Sequence, residues 1–295
     1  MQEINYLNKL DKLHKIVATT MFGLEDVLEK ELIQIGAQNI IKGNRHVQFE
    51  GDQELIYKAN LKLRTALKIL KKIKTFRAKK EEELYNYISY FKWFNLFSYK
   101  NTFSISSTVN SKYFTHSNYV SLVTKDAIVD QFKKKYNVRP SISLNNPDFN
   151  IHIHISNDRC NLYLNSSGDS LHKRGYRTKK FRAPINEVLA AGIIQMSDWN
   201  RRQLFVDPMC GSGTFLIEAA LIATNRPPNI ARKFFGFQKW NSYNELAFKK
   251  VKAELLQEEK KIHNKILGFD ISASAILIAK QHVRNMNLEE FIKIN

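Results

Sequence analysis

Apolar and polar positions in the first third of the chain alternate between a strand-like and a helix-like period. Lys15–Thr20 is a short β-branched run, and after Gly23 the apolar residues up to Ile35 fall on one face of a helix. Further strands and a second amphipathic helix are predicted at Asn39–Lys42, His46–Glu50, Gln53–Leu63 and Lys68–Phe76. The resulting order βαββαβ is typical of a ferredoxin-like fold.

A second group of elements follows, with a different spacing. The pattern predicts an aromatic-rich helix at Glu81–Trp93, a strand at Thr102–Val109 and a long helix at Asn118–Tyr136. Strict alternation in Ile151–Ser156 and again in Arg159–Ser166 predicts a hairpin. The histidines of the first hairpin strand have no cysteine or carboxylate cluster nearby in the sequence, so we interpret them as solvent-facing residues rather than metal ligands.

A glycine-rich turn lies between a buried strand and an apolar helix in Leu204–Ala220. Asp207 ends the strand, Gly211 and Gly213 form the turn, and Thr214 opens the helix. In an open parallel sheet the crevice beyond such a strand end binds nucleotide-like ligands. The spacing matches neither the dinucleotide fingerprint nor the P-loop. It suits a ligand that lacks a pyrophosphate and carries an amino group, such as S-adenosylmethionine.

A second acidic strand end follows in Ile266–Ser272. Asp270 is placed to accept hydrogen bonds from both ribose hydroxyls of a nucleotide-like ligand. The alternative is that Asp270 only caps the next helix, Ser274–Asn287. With Phe291–Ile294 as a third strand, these elements predict a doubly wound α/β domain behind an α+β front module.

The charge is strongly positive and unevenly distributed. The chain has 46 Lys and Arg against 28 Asp and Glu, and residues 1–183 hold 31 of the basic and 17 of the acidic residues. A polyanionic partner would explain this excess, and so would a Lys-rich proteome. No apolar run approaches the roughly 20 residues of a membrane span. The polar N-terminus and the two cysteines, Cys160 and Cys210, predict a cytoplasmic protein.

Three segments together carry a resemblance to a known family. DPMCGSGTFLIEAA, GFDIS and the upstream LHKRGYR resemble the bacterial THUMP-domain class I methyltransferases that act on guanine-N2 of large-subunit ribosomal RNA. The resemblance implies a ferredoxin-like part at residues 1–75 and a THUMP part at 76–166, whose profile could begin near residue 50. A basic linker at 167–183 and a Rossmann-like methyltransferase domain at 184–295, incomplete at its C-terminus, would complete the chain.

The resemblance also implies which residues bind. The cofactor S-adenosylmethionine would be held by Asp207, Pro208, Cys210, Gly211, Gly213, Thr214, Asp270 and Ile271. Ribosomal RNA, or another structured RNA, would contact the basic residues of the linker and of the long helix, namely Lys173, Arg174, Arg177, Lys179, Lys180, Arg182, Lys133, Lys134 and Lys135. For the three helix lysines, a favourable interaction with the helix dipole is the alternative explanation.

The family's reacting motif, Asn- or Asp-Pro-Pro-Tyr at the end of the fourth strand, does not occur in this sequence. The sole Pro-Pro pair, Pro227-Pro228, is followed by Asn229 and lies after the helix that follows the first strand. We interpret the chain as a fragment whose first strand, Leu204–Val206, is left as an open apolar edge. The alternatives are an RNA-binding protein with a non-catalytic methyltransferase-like scaffold and a tRNA guanine methyltransferase. A DNA methyltransferase is less well supported.

These 295 residues alone should therefore not methylate ribosomal RNA, because nothing in them positions the exocyclic amine in line with the methyl group. The check is transfer of labelled methyl groups from S-adenosylmethionine to ribosomal RNA. Measurable transfer by this polypeptide would contradict the interpretation.

Overall fold

A computed structural model describes residues 13–177, 184–262 and 265–295. They form two compact units, and neither is a single stretch of sequence. Unit 1 comprises the described residues up to Ile69 together with Ser170–Lys233 and Glu245–Asn295, and unit 2 comprises Leu70–Asp169 with Phe234–Asn244. No helix in the described part of the chain combines the length and apolarity needed to cross a membrane.

The first part of unit 1 has the predicted ferredoxin-like order. Its elements are β1 (His14–Thr19), α1 (Glu25–Gln34), β2 (Gln38–Gly43), β3 (His46–Gly51), α2 (Gln53–Lys62) and the start of β4 (Lys68–Arg77). β3 pairs antiparallel with both β1 and β2. The Asp52 carboxylate accepts from the Leu55 N–H and caps α2, so this helix starts where the sequence places an N-cap residue. The ferredoxin-like prediction is confirmed.

The second part of unit 1 is the parallel α/β half. Its elements are α5 (Glu187–Met196), β8 (Phe205–Asp207), α6 (Thr214–Ala223), α7 (Glu245–Gln257), β9 (Ile266–Gly268), α8 (Ala273–Asn285) and β10 (Ile292–Ile294). The strands pair in parallel in the order β10-β9-β8. Nine residues of α6 are buried, as expected for a helix covered on most sides. The Rossmann-like prediction is confirmed.

Unit 2 contains α3 (Glu81–Tyr90), β5 (Phe103–Asn110), α4 (Ser117–Tyr136), β6 (Phe149–Ser156) and β7 (Arg159–Asn165). β6 lies between β5, which is parallel to it, and β7, which is antiparallel. β7 pairs in turn with residues 70–77 of β4. Phe97 is central to the core, with ring centroids 5.1 Å from those of Phe132 and Phe149.

Residues 234–244 belong to unit 2, although the sequence analysis assigned them to the methyltransferase domain. The Phe237 N–H donates to the Ser166 carbonyl at 2.9 Å. The Lys239 ammonium pairs with the Asp148 carboxylate at 3.2 Å. Gly236 approaches the backbone so closely that an added Cβ would lie 2.6 Å from the Asn165 carbonyl oxygen. The segment is therefore packed into unit 2 rather than looped out.

The described part of the predicted basic linker, residues 167–177, is packed against the protein at several positions. Ser167, Leu171, Arg174 and Tyr176 are all buried. The apolar residues Leu171 and Tyr176 lie among basic residues, and their buried side chains anchor the segment. The boundary between unit 2 and unit 1 falls inside this stretch, between Asp169 and Ser170. Lys179, Lys180 and Arg182 lie outside the described residues.

A buried ion pair joins this segment to both parts of unit 1. The guanidinium of Arg174 lies 3.3 Å from the Glu218 carboxylate on α6, and neither side chain is exposed at all. Its other nitrogens donate to the carbonyls of Leu171 at 3.0 Å and Arg64 at 2.5 Å. Because Arg174 is 1% exposed and its guanidinium is held by these buried partners, the prediction that Arg174 contacts RNA is wrong.

A second buried polar cluster forms around Glu31 of α1. Its carboxylate accepts from the backbone N–H groups of Arg64 and Thr65, both at 3.0 Å, and from the Thr65 hydroxyl. Gln195 of α5 donates to it at 3.3 Å. The ferredoxin-like part and the α/β half therefore share satisfied buried hydrogen bonds and form one unit.

β8 is the edge strand of the described parallel sheet, and its neighbourhood is apolar. Leu204 is 57% exposed and Val206 is 47% exposed. The strand order β10-β9-β8 leaves one side of β8 without a partner among the described strands. The open edge expected from the sequence is present.

Removing Arg174 should leave the Glu218 carboxylate buried without a counter-charge. We expect Arg174→Met to lower the free energy of unfolding by about 3–5 kcal/mol, measured by chemical denaturation. Lys173→Met, next to it and exposed, is the matched control and should stay within about 0.5 kcal/mol. Equal effects of the two substitutions would show that the ion pair does not stabilise this junction.

Candidate functional site

The glycine turn after β8 has a left-handed backbone at two glycines. Gly211 and Gly213 adopt positive φ values of 52° and 81°. At Gly213 an added Cβ would also lie 3.2 Å from the Cβ of Ala279 on α8. The Gly213 N–H donates to the Cys210 carbonyl at 2.8 Å, which closes the turn, and α6 begins at Thr214. The first N–H groups of α6 have no partner within the helix, as at any helix start.

Backbone hydrogen bonds carry the pairing of β8 and β9 past the ends of the strands and hold the turn against the second acidic loop. The Phe269 N–H donates to the Asp207 carbonyl at 2.9 Å, and the Cys210 N–H donates to the Phe269 carbonyl at 2.8 Å. The Gly211 N–H then donates to the Asp270 carboxylate at 2.8 Å. The two loops that the sequence analysis predicted to be neighbours are in direct contact.

Asp270 does not act as a helix N-cap. The N-cap of α8 is Ser272, whose hydroxyl accepts from the Ala275 N–H at 3.3 Å. One oxygen of Asp270 accepts from the Ser272 N–H at 2.9 Å, and the other accepts from Gly211. A carboxylate oxygen has two acceptor positions, so this side chain, which is only half-buried, keeps capacity to bind a ligand.

The site is acidic, and its cysteine is not a nucleophile. Burial raises the pKa of Asp207, and the nearby Asp270 carboxylate raises it further. Burial also raises the pKa of Cys210 to about 11, with smaller contributions from the same two aspartates. At neutral pH the thiol is therefore protonated. Its sulfur packs against Gly268, where an added Cβ would contact it. Paired carboxylates favour a ligand with cationic centres.

Exposed apolar side chains surround these carboxylates. Ile271 is fully exposed, Met209 is 83% exposed and Phe269 is 39% exposed. Pro208 is exposed as well. Apolar surface beside a few polar groups is typical of a small-molecule site. Pro208 and Ile271 thus have the accessibility that a cofactor contact requires.

Two further residues hold the turn, and the sequence analysis assigned neither of them to it. Arg177 donates to the Thr214 hydroxyl at 2.8 Å. The Nδ1–H of His282, on α8, donates to the Ser212 carbonyl at 3.1 Å, and burial lowers the pKa of this histidine. Both residues are distant from the turn in the sequence, so no local pattern predicts these two contacts. For His282, the available indication was its place on a helix that follows an acidic strand end, which could have suggested that its side chain faces the turn.

The residues predicted to contact RNA have three different environments. Arg177 is 23% exposed and pairs with Glu187. Lys135 holds its ammonium 3.2 Å from the centroid of the Phe94 ring. Lys133, Lys134 and Lys173 are exposed. Accessible positive charge therefore remains at the end of α4 and beside Arg174.

No metal site accompanies the described crevice. Throughout residues 13–177, 184–262 and 265–295, no group of three or more His, Cys, Asp or Glu residues is arranged to hold a metal ion. Both cysteines are free and buried.

Three family profiles match successive parts of the chain. They are described as the RlmL ferredoxin-like domain at residues 15–70, the THUMP domain at 78–165 and the RMKL-like methyltransferase domain at 174–295. A curated relative from Buchnera aphidicola (subsp. Acyrthosiphon pisum), named ribosomal RNA large subunit methyltransferase K/L, is 37% identical over 95% of this chain. The chain spans 41% of that relative's length.

Solved structures are similar over almost the whole chain. One, a candidate methyltransferase complexed with SAH, is 33% identical with a TM-score of 0.84, covering 96% of this chain and 75% of the other. Another, from Listeria monocytogenes and described as a predicted N6-adenine-specific DNA methylase, is 30% identical with a TM-score of 0.86, covering 96% and 74%.

The two turn glycines should differ in their sensitivity to substitution. We expect Gly211→Ala to lower the free energy of unfolding by about 1 kcal/mol, because a left-handed backbone is mildly strained for alanine. Gly213→Ala should cost clearly more, since the new methyl group also meets Ala279 at 3.2 Å. Chemical denaturation of both variants checks this, and a Gly213→Ala variant no less stable than Gly211→Ala would contradict the described packing.

Proposed function

We propose, from the premise that this chain belongs to the family of THUMP-containing RMKL-like methyltransferases, that its crevice at Asp207 and Asp270 binds S-adenosylmethionine. The hydrogen bond from the Gly211 N–H to the Asp270 carboxylate carries the proposal. It joins the glycine turn and the second acidic strand end into one site. Each feature alone would be weak, whereas together they lie at the carboxyl ends of two adjacent parallel strands, where nucleotide-like ligands bind in such sheets.

The residues present fit the chemistry of this cofactor. The remaining acceptor positions of Asp270 suit ribose hydroxyls, and the two carboxylates suit the sulfonium and ammonium charges. The exposed apolar side chains of Met209, Phe269 and Ile271 offer a surface for the adenine ring. The start of α6 offers N–H groups to the carboxylate of the amino-acid end. Bound there, the cofactor supplies a methyl group on a cationic sulfur, and this chain's residues hold and orient it.

We further propose that the whole protein methylates the exocyclic amine of guanine in large-subunit ribosomal RNA. The relative from Buchnera aphidicola is named as a methyltransferase of the large-subunit ribosomal RNA. The guanine amine is the target that the family resemblance in the sequence implies. The basic front half and the exposed lysines Lys133 and Lys134 support a nucleic acid as partner. The THUMP match favours RNA over the DNA named for the Listeria protein. The cytoplasm, where ribosomal RNA is available, is the proposed location.

Calorimetric titration with S-adenosylhomocysteine tests the cofactor site directly. We expect the wild-type chain to bind and Asp270→Asn to bind about 10–150-fold more weakly, the value of a hydrogen bond to a charged group. Asparagine keeps one oxygen acceptor for the Gly211 N–H, although its amide nitrogen cannot accept from the Ser272 N–H. Asp198→Asn, an exposed acid in the loop before β8, is the matched control and should bind as the wild type does.

A wild-type chain that shows no heat of binding would contradict the proposal. The protein would then be better described as an RNA-binding module with a methyltransferase-like scaffold. Equal affinities of the wild type and Asp270→Asn would place the ligand elsewhere on the chain.

A further inference from the structure

The guanidinium of Arg177 contacts three groups around the starts of two helices. One terminal nitrogen donates to the Thr214 hydroxyl and to the Ile185 carbonyl, both at 2.8 Å. The Nε lies 2.8 Å from the Glu187 carboxylate, which is itself 4% exposed. Thr214 is the first residue of α6 and Glu187 the first of α5. A single side chain thus joins the beginnings of both helices.

This placement of a cation is electrostatically unfavourable by itself. Helix N-termini carry partial positive charge, so a guanidinium beside two of them is repelled by both. The Glu187 carboxylate offsets the repulsion. Burial raises the pKa of Glu187, and the Arg177 charge acts in the opposite direction. The pair is therefore mutually dependent, and its geometry is set by the planar fork of arginine, which lysine cannot reproduce.

The Thr214 hydroxyl is the link from this pair to the glycine turn. Thr214 is 3% exposed. The N-cap position before it is Gly213, which has no side chain to cap the helix. At the other end of the turn, the Gly211 N–H is held by Asp270 at 2.8 Å. The turn is thus held at one end by an acid of the crevice and at the other by Arg177.

We propose that Arg177 is a positioning residue for cofactor binding, fixing the turn Gly211–Thr214 through the Thr214 hydroxyl. The inference rests on the proposed function of the crevice. In this role Arg177 acts on the cofactor through the turn rather than by direct contact. Without this link the turn would keep its contacts with Asp270 and His282 but would lose its anchor at the start of α6, so its N–H groups would converge less well on the ligand and binding would weaken.

A double-mutant cycle measured by S-adenosylhomocysteine calorimetry tests this coupling. Arg177→Lys and Thr214→Val should each weaken binding about tenfold, and the double variant also about tenfold rather than a hundredfold, because both remove the same link. Thr214→Ser keeps the hydroxyl that accepts from Arg177 and should therefore bind more tightly than Thr214→Val. Thr214→Val leaves the Glu187 ion pair intact, so the comparison of valine with serine holds even where Arg177→Lys does not fold.

The variant Arg174→Met distinguishes a positioning role of Arg177 from a purely structural one. It should lower the unfolding midpoint more than Arg177→Lys while leaving the Kd for S-adenosylhomocysteine within about twofold of wild type. Additive losses in the cycle, or equal affinities of Thr214→Val and Thr214→Ser, would overturn the inference alone. Absence of binding by the wild type would overturn the proposed function and this inference with it.

Discussion

The hydrogen bond between the Gly211 N–H and the Asp270 carboxylate is the constraint on which the site depends. β8 and β9 pair over only three residues, and backbone bonds between Asp207, Phe269 and Cys210 extend that pairing beyond the strands. Where the backbone ladder ends, the Asp270 carboxylate is the next hydrogen-bond acceptor for the turn. A charged acceptor bound to a backbone donor is stronger than a neutral pair. The position of the turn relative to the second acidic loop is therefore set before any ligand binds, which lowers the ordering cost of binding.

The surroundings of this contact are held by buried polar groups as much as by apolar packing. The Arg174–Glu218 ion pair ties α6, the helix that starts at the turn, to the Arg64 carbonyl of the ferredoxin-like part. The Glu31 cluster makes a second such tie to α5 through Gln195. Such pairs are costly to desolvate, and their satisfied geometry specifies one arrangement of the two parts. The ferredoxin-like part is thus a structural support of the methyltransferase half, although the two are separated in sequence by unit 2.

Periodicity and turn chemistry predicted most of the elements, because strands, amphipathic helices and glycine turns are local in sequence. They also predicted the neighbouring positions of the Asp207 loop and Asp270, since the carboxyl ends of adjacent parallel strands meet at one edge. The local charge pattern did not distinguish Arg174 and Arg177, which pair with buried acids, from their exposed neighbour Lys173. What separates these residues is the position of an acid, Glu218 or Glu187, and the local charge pattern does not show which arginine is buried. The inclusion of residues 234–244 in unit 2 is likewise a tertiary effect without a local signal.

The central claim is that one crevice, between the glycine turn and Asp270, takes the cofactor. The most direct measurement is a crystal structure of this chain with S-adenosylhomocysteine. The account predicts the ribose within hydrogen-bonding distance of the Asp270 carboxylate and the amino-acid end beside the turn Gly211–Thr214. Ligand density at any other place on the chain, with these two loops free of it, would contradict the account.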